Sequence, residues 1–190
     1  MSSTGRSETD ATPTANGDLS TAQVVILMGS DSDLPRMRQC LTSLEALDVA
    51  YDIRVASAHR TPARVLDIIQ RAEAAGVQVF ICAAGGAAHL AGAVAAHTTL
   101  PVIGVPLAVP PLDGVDALYA TVQMPPGMPV ATVAVGDFGA HNAGLLAAQI
   151  LAVGDADLRA RVKLHREAMR TKVLSKNAKM RAELGLPPEA

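Results

Sequence analysis

Six consecutive residues carry the strongest chemical signal in this chain, because they combine an imidazole, a guanidinium and two hydroxyls. They are Ser57-Ala58-His59-Arg60-Thr61-Pro62, and they directly follow a strand-like run. Thr61 before Pro62 is the pattern of a helix N-cap with proline in the first turn. Free backbone N–H groups at a helix start bind anions, and an imidazole beside them can transfer protons near neutral pH. The segment therefore predicts an anion site with a proton carrier, His59, next to it.

A second polar loop, Gly29-Ser30-Asp31-Ser32-Asp33, has the composition of a phosphate-binding turn ahead of a helix. Gly29 would allow a close backbone approach, and the Ser30 hydroxyl would add a donor. Asp33 fits two interpretations, a carboxylate favoured by the helix dipole or a ligand of a ribose hydroxyl. Arg60 fits a solvated cation or, as we favour, a phosphate partner. The loop is neither a Walker loop nor a dinucleotide fingerprint, which argues against a nucleoside triphosphate or a dinucleotide.

A third loop, residues 84–89, contains two glycines and three alanines before His89. These small residues leave room for a flat ligand, and His89 either lines that pocket or caps the following helix. The other histidines, His97, His141 and His165, fit structural positions. The sequence has no cluster with metal-ligand spacing and no nucleophilic triad or reactive-cysteine motif. The residues alone predict a phosphorylated small molecule and acid–base chemistry without metal or cofactor, and they leave the reaction open.

Strand and helix patterns alternate from residue 23, and every polar loop follows a strand. The expected strands are 23–28, 51–56, 77–83, 101–105 and 130–135, and the expected helices are 33–47, 62–75, 88–96, one from residue 143, and 156–174. Repeated βα units predict a three-layer, doubly wound α/β fold with a parallel sheet of flavodoxin-like order 2-1-3-4-5 and a C-terminal helix extension. Ligands of such sheets bind beyond the carboxyl ends of the strands, so these loops should share one rim.

Composition predicts the organisation and surroundings of this domain. Residues 1–21 have the composition of a disordered tail, 22–175 form one catalytic domain and 176–190 an exposed extension. A net charge of −2 and no basic stripe before the C-terminal tail argue against nucleic-acid binding. No segment predicts a signal peptide or a membrane span. Cys40 and Cys82 lie in apolar runs, which predicts buried free thiols in a reducing cytoplasm.

One helical segment predicts a partner subunit. Residues 143–153 are apolar nearly all round, apart from Gln149. A helix of that composition needs burial on every side. It is either enclosed by its own domain or, as we favour, covered on its second side by another copy of the chain.

Taken together, these motifs resemble those of the bacterial class I 5-(carboxyamino)imidazole ribonucleotide mutases of purine biosynthesis. The resemblance spans about residues 24–153 and rests on seven segments in order: GSDSD (29–33), SAHRTP (57–62), AGGAAHL (84–90), PVIGVP (101–106), LDGVDAL (112–118), VQMPPGMPV (122–130) and GAHNAGLLAAQIL (139–151). It implies a flavodoxin-like subunit in a homo-octamer that needs no cofactor. The implied reaction moves a carboxylate from the exocyclic nitrogen of an aminoimidazole ribonucleotide to ring carbon 4.

The resemblance also implies a role for individual residues. His59 would protonate the carbamate as CO2 leaves, and would later remove the proton from carbon 4. Ser30, Asp33 and Arg60 match nucleotide-binding positions of the family. Further residues match its pocket-lining positions: Ser57, Gly85, Ala88, His89 and Leu90. The loop 123–125 matches one that covers the site, reached from a neighbouring subunit.

Two other functions stay open from the sequence. One is direct carboxylation of the aminoimidazole ribonucleotide with CO2, as class II relatives of the same fold perform it, although the AAHL segment favours the mutase. The other is a non-catalytic module that binds a nucleoside monophosphate, against which the intact SAHRT segment argues. The chain has Leu34 and Ala91 where the family usually has tryptophan and proline. Leu34 weakens any claim of aromatic stacking at that position, and neither difference touches His59 or Arg60.

Overall fold

The computed structural model describes residues 18–189, and residues 1–17 and 190 lie outside that range. Five strands in this range form one parallel sheet: β1 (Val24–Met28), β2 (Tyr51–Val55), β3 (Val79–Gly85), β4 (Val102–Leu107) and β5 (Ala131–Thr132). Their order is β2-β1-β3-β4-β5. This order confirms the predicted flavodoxin-like sheet.

Helices cover both faces of the sheet. Within the described residues the α-helices are α1 (Leu34–Glu45), α2 (Pro62–Ala75), α3 (Leu90–Ala95), α4 (Val115–Val122), α5 (Asp137–Leu151) and α6 (Ala156–Glu183), and a short 3-10 helix, Asp31–Asp33, precedes α1. Val24 and Ile26 of β1 pack in a core cluster with α1 and α5. Val25 and Leu27 pack in a second cluster with α2 and α3. Successive side chains of a strand point to opposite faces, so the continuous apolar run of β1 supplies both clusters.

The contact between α1 and α5 depends on a glycine. A Cβ atom at Gly144 would lie 2.7 Å from the carbonyl oxygen of Cys40 and 2.8 Å from Cβ of Ser43. The buried Ser43 hydroxyl donates to the Gln39 carbonyl at 2.9 Å and lies 2.8 Å from Nδ1 of His141. Since the one hydroxyl proton is engaged, Nδ1 of His141 is the donor of that second bond. His141 therefore has a structural contact between the two helices, as the sequence predicted.

The two cysteines are free and buried, one beside each face of the sheet. Burial raises the pKa of the Cys40 thiol to about 12, and it raises that of Cys82 further. Both thiols therefore belong to the core, as predicted. In residues 18–189, no helix is long and apolar enough to span a lipid bilayer.

Several element bounds differ from the predicted ones. α4 was not predicted, because its apolar residues Val115, Tyr119 and Val122 face outward and leave no stripe toward the core. β5 is an edge strand with two residues and is shorter than expected. α5 begins at Asp137, before residue 143, and α6 continues beyond residue 174 to Glu183.

The two ends of the described range are ordered by local contacts. Residues 18–21 form a turn in which Leu19 packs against the second core cluster, although the sequence placed them in a disordered tail. The rest of that predicted tail lies outside the described residues. At the other end, Gly185 adopts a positive φ of 65°. The N–H of Leu186 bonds to the carbonyl of Arg181, and that of Gly185 to Ala182. This pair of bonds is the glycine-dependent C-terminal cap that stops α6.

Candidate active site

The ten predicted site residues line one cavity of about 450 Å³ at the carboxyl ends of the strands. Its lining comes from the loops after β1, β2, β3 and β4: Gly29, Ser30, Ser32, Asp33, Ser57, Ala58, His59, Arg60, Ala84, Gly85, Gly86, Ala88, His89, Leu90 and Val109. Four of the additional lining residues fall inside the sequence segments already singled out. Val109 does not, and only its place after the fourth strand could have indicated it.

The loop after β1 presents hydroxyl and amide groups at the start of α1. The Ser30 N–H donates to Oδ2 of Asp33 at 3.1 Å, and the Ser30 and Ser32 hydroxyl oxygens lie 2.8 Å apart. These groups precede the positive end of the α1 dipole, which favours an anion there. Burial raises the pKa of the Asp33 carboxyl, partly offset by the Ser30 N–H bond and the charges of Arg36 and Arg60.

Arg60 connects the loops after β1 and β2. Its Nη2 donates to the Gly29 carbonyl at 2.8 Å, and its backbone N–H donates to the Ser57 hydroxyl at 3.2 Å. Its Nε also donates to the Ser57 hydroxyl at 3.5 Å. These bonds use two of the five guanidinium N–H groups, so donors remain for a phosphate. Thr61 occupies the N-cap position of α2 but makes no side-chain cap bond there. Thr61 and Pro62 thus occupy the predicted N-cap and first-turn positions, but the Thr61 hydroxyl binds the backbone of Ser57 instead, accepting from N–H and donating to C=O.

The loop after β3 turns sharply to present His89. Gly86 and Ala88 have positive φ values of 61° and 45°. The Ala88 N–H bonds to the Gly85 carbonyl at 3.2 Å, and the Ala88 side chain is buried. A left-handed alanine costs on the order of 1 kcal/mol, and such residues concentrate at functional sites. The strained turn therefore fixes the backbone position from which the His89 side chain extends into the cavity. His89 makes no side-chain cap for α3, so of its two predicted roles only pocket lining agrees with the structure.

The two histidines of the cavity contact each other. Nε2 of His59 lies 2.7 Å from Nδ1 of His89, with the ring centroids 4.9 Å apart and the planes 81° apart. A hydrogen bond between two ring nitrogens requires one protonated and one unprotonated partner. The facing nitrogens therefore share one proton, and the contact cannot persist when both rings are fully protonated. His59 is thereby held beside a group that can accept or return a proton.

The cavity has a polar and an apolar end. Because the sheet order is β2-β1-β3-β4, the loops after β1 and β2 bring Ser30 and Arg60 together, and the loops after β3 and β4 bring Gly85 and Val109 together. The His59 side chain reaches the β3 loop through its contact with His89. This geometry can hold an anion at one end and transfer a proton at the other.

Other residues singled out from the sequence lie elsewhere. None of His97, His141 and His165 lines this cavity, nor does the loop 123–125. A Cβ atom at Gly92 of α3 would lie 3.1 Å from Sδ of Met124, so the loop packs against its own chain at that point. In residues 18–189, no group of three His, Cys, Asp or Glu side chains could hold a metal ion.

Comparison with known proteins gives concordant matches. The family model described as AIR carboxylase matches residues 23–172. The N5-carboxyaminoimidazole ribonucleotide mutase of Thermotoga maritima is 50% identical over 154 residues, which cover 81% of this chain and 89% of that protein. The corresponding mutase of Escherichia coli is 50% identical over 153 residues, covering 80% and 90%. The crystal structure of Treponema denticola PurE superposes with a TM-score of 0.75 at 30% identity, covering 82% of this chain and 96% of that one.

Proposed function

The chain belongs to the AIR carboxylase family, and on that basis we propose that it is a mutase of purine biosynthesis that converts N5-carboxyaminoimidazole ribonucleotide to 4-carboxy-5-aminoimidazole ribonucleotide. Relatives with this activity in their names are about half identical to it over most of their length. The observation that carries the mechanism is the His59–His89 contact in a cavity that is also lined by Arg60 and the hydroxyls of Ser30 and Ser32.

The polar end of the cavity would hold the ribose phosphate. Arg60 offers a guanidinium, and Ser30 and Ser32 offer adjacent hydroxyls at the start of α1. Charge-assisted bonds from a guanidinium and amide groups at a helix start suit a phosphate dianion. Asp33 lies next to these donors and would accept from a ribose hydroxyl. The anchored phosphate then directs the aminoimidazole ring toward His59.

His59 would perform two opposite proton transfers in one turnover. Its protonated ring gives a proton to the carbamate nitrogen, the bond from nitrogen to the carboxylate carbon breaks, and CO2 and the free amine result. The electron-rich carbon 4 of the aminoimidazole then attacks CO2, and a carbon–carbon bond forms. The neutral His59 ring removes the proton from carbon 4 and restores aromaticity. Protons and electrons balance, so the reaction needs no external acid, base or oxidant.

Confinement and proton transfer supply the rate acceleration. The substrate already contains both reacting groups, so the enzyme has to keep CO2 near carbon 4 and exclude water. A general acid–base group contributes on the order of a hundred- to ten-thousand-fold. The small side chains of the β3 loop leave room for the heterocycle beside His59. His89, which shares a proton with His59, would keep that ring in position.

An assay with two substrates tests this proposal. The purified protein is given either the carboxyamino ribonucleotide or the unsubstituted aminoimidazole ribonucleotide, at low and at high bicarbonate. The mutase converts the first substrate at low bicarbonate, and its rate does not depend on added bicarbonate. Turnover of the second substrate only, rising with bicarbonate, would identify a direct carboxylase. Binding without turnover of either would identify a nucleotide-binding module.

Exposed apolar surface supports self-association, and the family resemblance implies an octamer. α4 exposes Val115, Tyr119 and Val122 at the spacing of one helix face, each more than half exposed. Apolar faces of this kind mark subunit contacts. A neighbouring copy at the rim would also bring a loop such as 123–125 to the cavity. Light scattering tests the assembly, with Tyr119→Glu expected to weaken it and Arg71→Glu on α2 as the charged control.

The C-terminal helix supplies a second apolar surface for the same assembly. The stripe that buries Leu158 continues to Met169, Val173 and Met180, which are about half or more exposed. More than half of the lysines and arginines of the chain lie on α6, whereas the whole chain is slightly acidic. The basic helix therefore complements the acidic remainder of a second copy.

A location in the cytoplasm stays a prediction, supported by the two buried free thiols.

A further inference from the structure

Val109 is the one lining residue that the loop after β4 contributes to the cavity. Its side chain is 41% exposed, so it lies at the mouth, between the cavity and the solvent. No polar group of the site depends on it, and no motif of the sequence included it. Its position therefore needs an explanation of its own.

The shape of Val109 is matched to Gly85 on the neighbouring strand. A Cβ atom at Gly85 would lie 2.4 Å from Cγ2 of Val109 and 3.3 Å from the carbonyl oxygen of Leu107. Gly85 is paired with Leu107 in the sheet, so the Val109 methyl occupies the space that the missing side chain leaves. The valine thus rests directly on the backbone of the β3 loop, without a gap on that side.

The backbone around Val109 is held by its own turn. The Val109 carbonyl accepts from the N–H of Asp113 at 3.1 Å, which closes a five-residue turn. Asp113 and Gly114 have positive φ values of 48° and 88°. A Cβ at Gly114 would lie 3.0 Å from Cα of Ala108, so the turn packs tightly on the start of the loop. A β-branched side chain on such a backbone has little rotational freedom.

The sheet order places Val109 at the reacting end of the cavity. β4 lies next to β3 and on the far side of β3 from β1 and β2, which carry the anion-binding residues. The His59 side chain crosses to the β3 loop, where Nε2 meets Nδ1 of His89. Val109 therefore contacts, at Gly85, the loop that carries His89, on the side of β3 away from β1 and β2.

We propose that Val109 is the apolar wall that retains CO2 during the carboxylate transfer, a specificity-determining residue that keeps the reaction intramolecular. This inference rests on the proposed mutase function. CO2 is neutral once the bond to nitrogen has broken, so a charged group holds it far more weakly than it held the carbamate, and the walls of the cavity have to limit its escape. A branched apolar side chain at the mouth blocks that exit and excludes water that would solvate the departing molecule. A smaller side chain at residue 109 opens the exit while the proton carrier stays in place.

The test follows an isotope label from substrate to product. The carboxyamino ribonucleotide carries a labelled carboxylate, the buffer contains excess unlabelled bicarbonate with carbonic anhydrase, and mass spectrometry gives the label retained in the product. The wild-type protein is compared with Val109→Ala, which removes two methyl groups, and Val109→Thr, which keeps the branched shape. Accumulation of the decarboxylated aminoimidazole ribonucleotide is measured in the same samples.

The outcomes separate this inference from the proposed function. We expect the wild type and Val109→Thr to retain the label, and Val109→Ala to lose it and to release the decarboxylated nucleotide several-fold faster, with product affinity and Tm close to those of the wild type. Retention of the label by Val109→Ala equal to that of the wild type overturns the role of Val109 alone. Equal label loss from Val109→Thr overturns the steric argument. Absence of wild-type turnover overturns the proposed function itself.

Discussion

Nε2 of His59 and Nδ1 of His89 lie 2.7 Å apart, although thirty residues separate them in the chain. One ring comes from the loop after β2 and the other from the loop after β3, two strands that both flank β1. A hydrogen bond between two imidazoles at this distance needs a proton on one facing nitrogen and none on the other. A group that must first give a proton and then take one back benefits from such a partner.

Replacement of His59 should separate binding from catalysis. His59→Asn keeps a polar side chain of similar size but cannot carry a proton. We expect turnover to fall at least about a hundredfold, the lower bound for general acid–base catalysis, with product affinity changed little. Steady-state kinetics and calorimetric titration with the product measure the two quantities. Full activity in this variant would show that His59 is not the proton carrier.

Replacement of His89 should distinguish a positioning residue from a structural one. His89→Leu removes the hydrogen-bond partner of His59, whereas His89→Asn keeps a polar atom on a short side chain. We expect kcat of the leucine variant to fall by up to about a hundredfold, as for a misplaced catalytic group, with recovery in the asparagine variant. KM should change little in the leucine variant, because His89 positions the proton carrier and does not anchor the phosphate. An unchanged kcat would contradict the positioning role.

Arg60 should contribute to affinity more than to chemistry. Arg60→Ala removes a charge-assisted bond to the phosphate, so KM should rise about tenfold or more, corresponding to roughly 1.5–3 kcal/mol. Arg71→Ala is the matched control, because Arg71 lies on the exposed face of α2, away from the cavity, and forms a solvent-exposed ion pair with Asp67. KM should stay unchanged in the control. If Arg60→Ala leaves KM unchanged as well, the phosphate lies elsewhere.

The sequence located the residues that line the cavity better than it located the edges of the fold. The sequence predicted β1 because a run of five apolar residues followed by a polar, glycine-containing loop is typical of a buried strand. The residues of the cavity were predicted because they lie in short polar segments directly after such strands. α4 was missed because its apolar face points to solvent in the single chain. Val109 was missed because an isolated valine carries no chemical signal, and only the tertiary contact with Gly85 shows its place.

The close contact of α1 and α5 gives a stability prediction. In Gly144→Ala the new methyl would meet the Cys40 carbonyl and Ser43 at 2.7–2.8 Å, so the helices must separate. Overpacking of this kind costs about 1–3 kcal/mol of unfolding free energy. Gly154→Ala is the control, since nothing lies within 4 Å of a Cβ there. Chemical denaturation of both variants should show destabilisation only for Gly144→Ala, and equal stability would contradict the packing described.

Asp33 gives a prediction about pH. Burial raises the pKa of its carboxyl, so the fold favours the neutral form. This contribution to stability is present below the pKa of the unfolded chain and is lost as the pH rises through the pKa of the folded state. The unfolding free energy of the wild type minus that of Asp33→Asn should therefore fall as the pH rises above 3.8, the ordinary pKa of an aspartate. A difference that rises with pH there would show that the carboxylate is the form that the fold stabilises.

The most direct test of the proposed proton transfer is a crystal structure with the carboxylated aminoimidazole ribonucleotide bound. The account predicts the phosphate at Ser30 and Arg60. It also predicts a ring nitrogen of His59 within about 3–3.5 Å of both the exocyclic nitrogen and carbon 4, the separation of reacting atoms in a productive complex. A His59 ring turned away from the heterocycle, or a heterocycle bound outside the loop that carries His89, would contradict it.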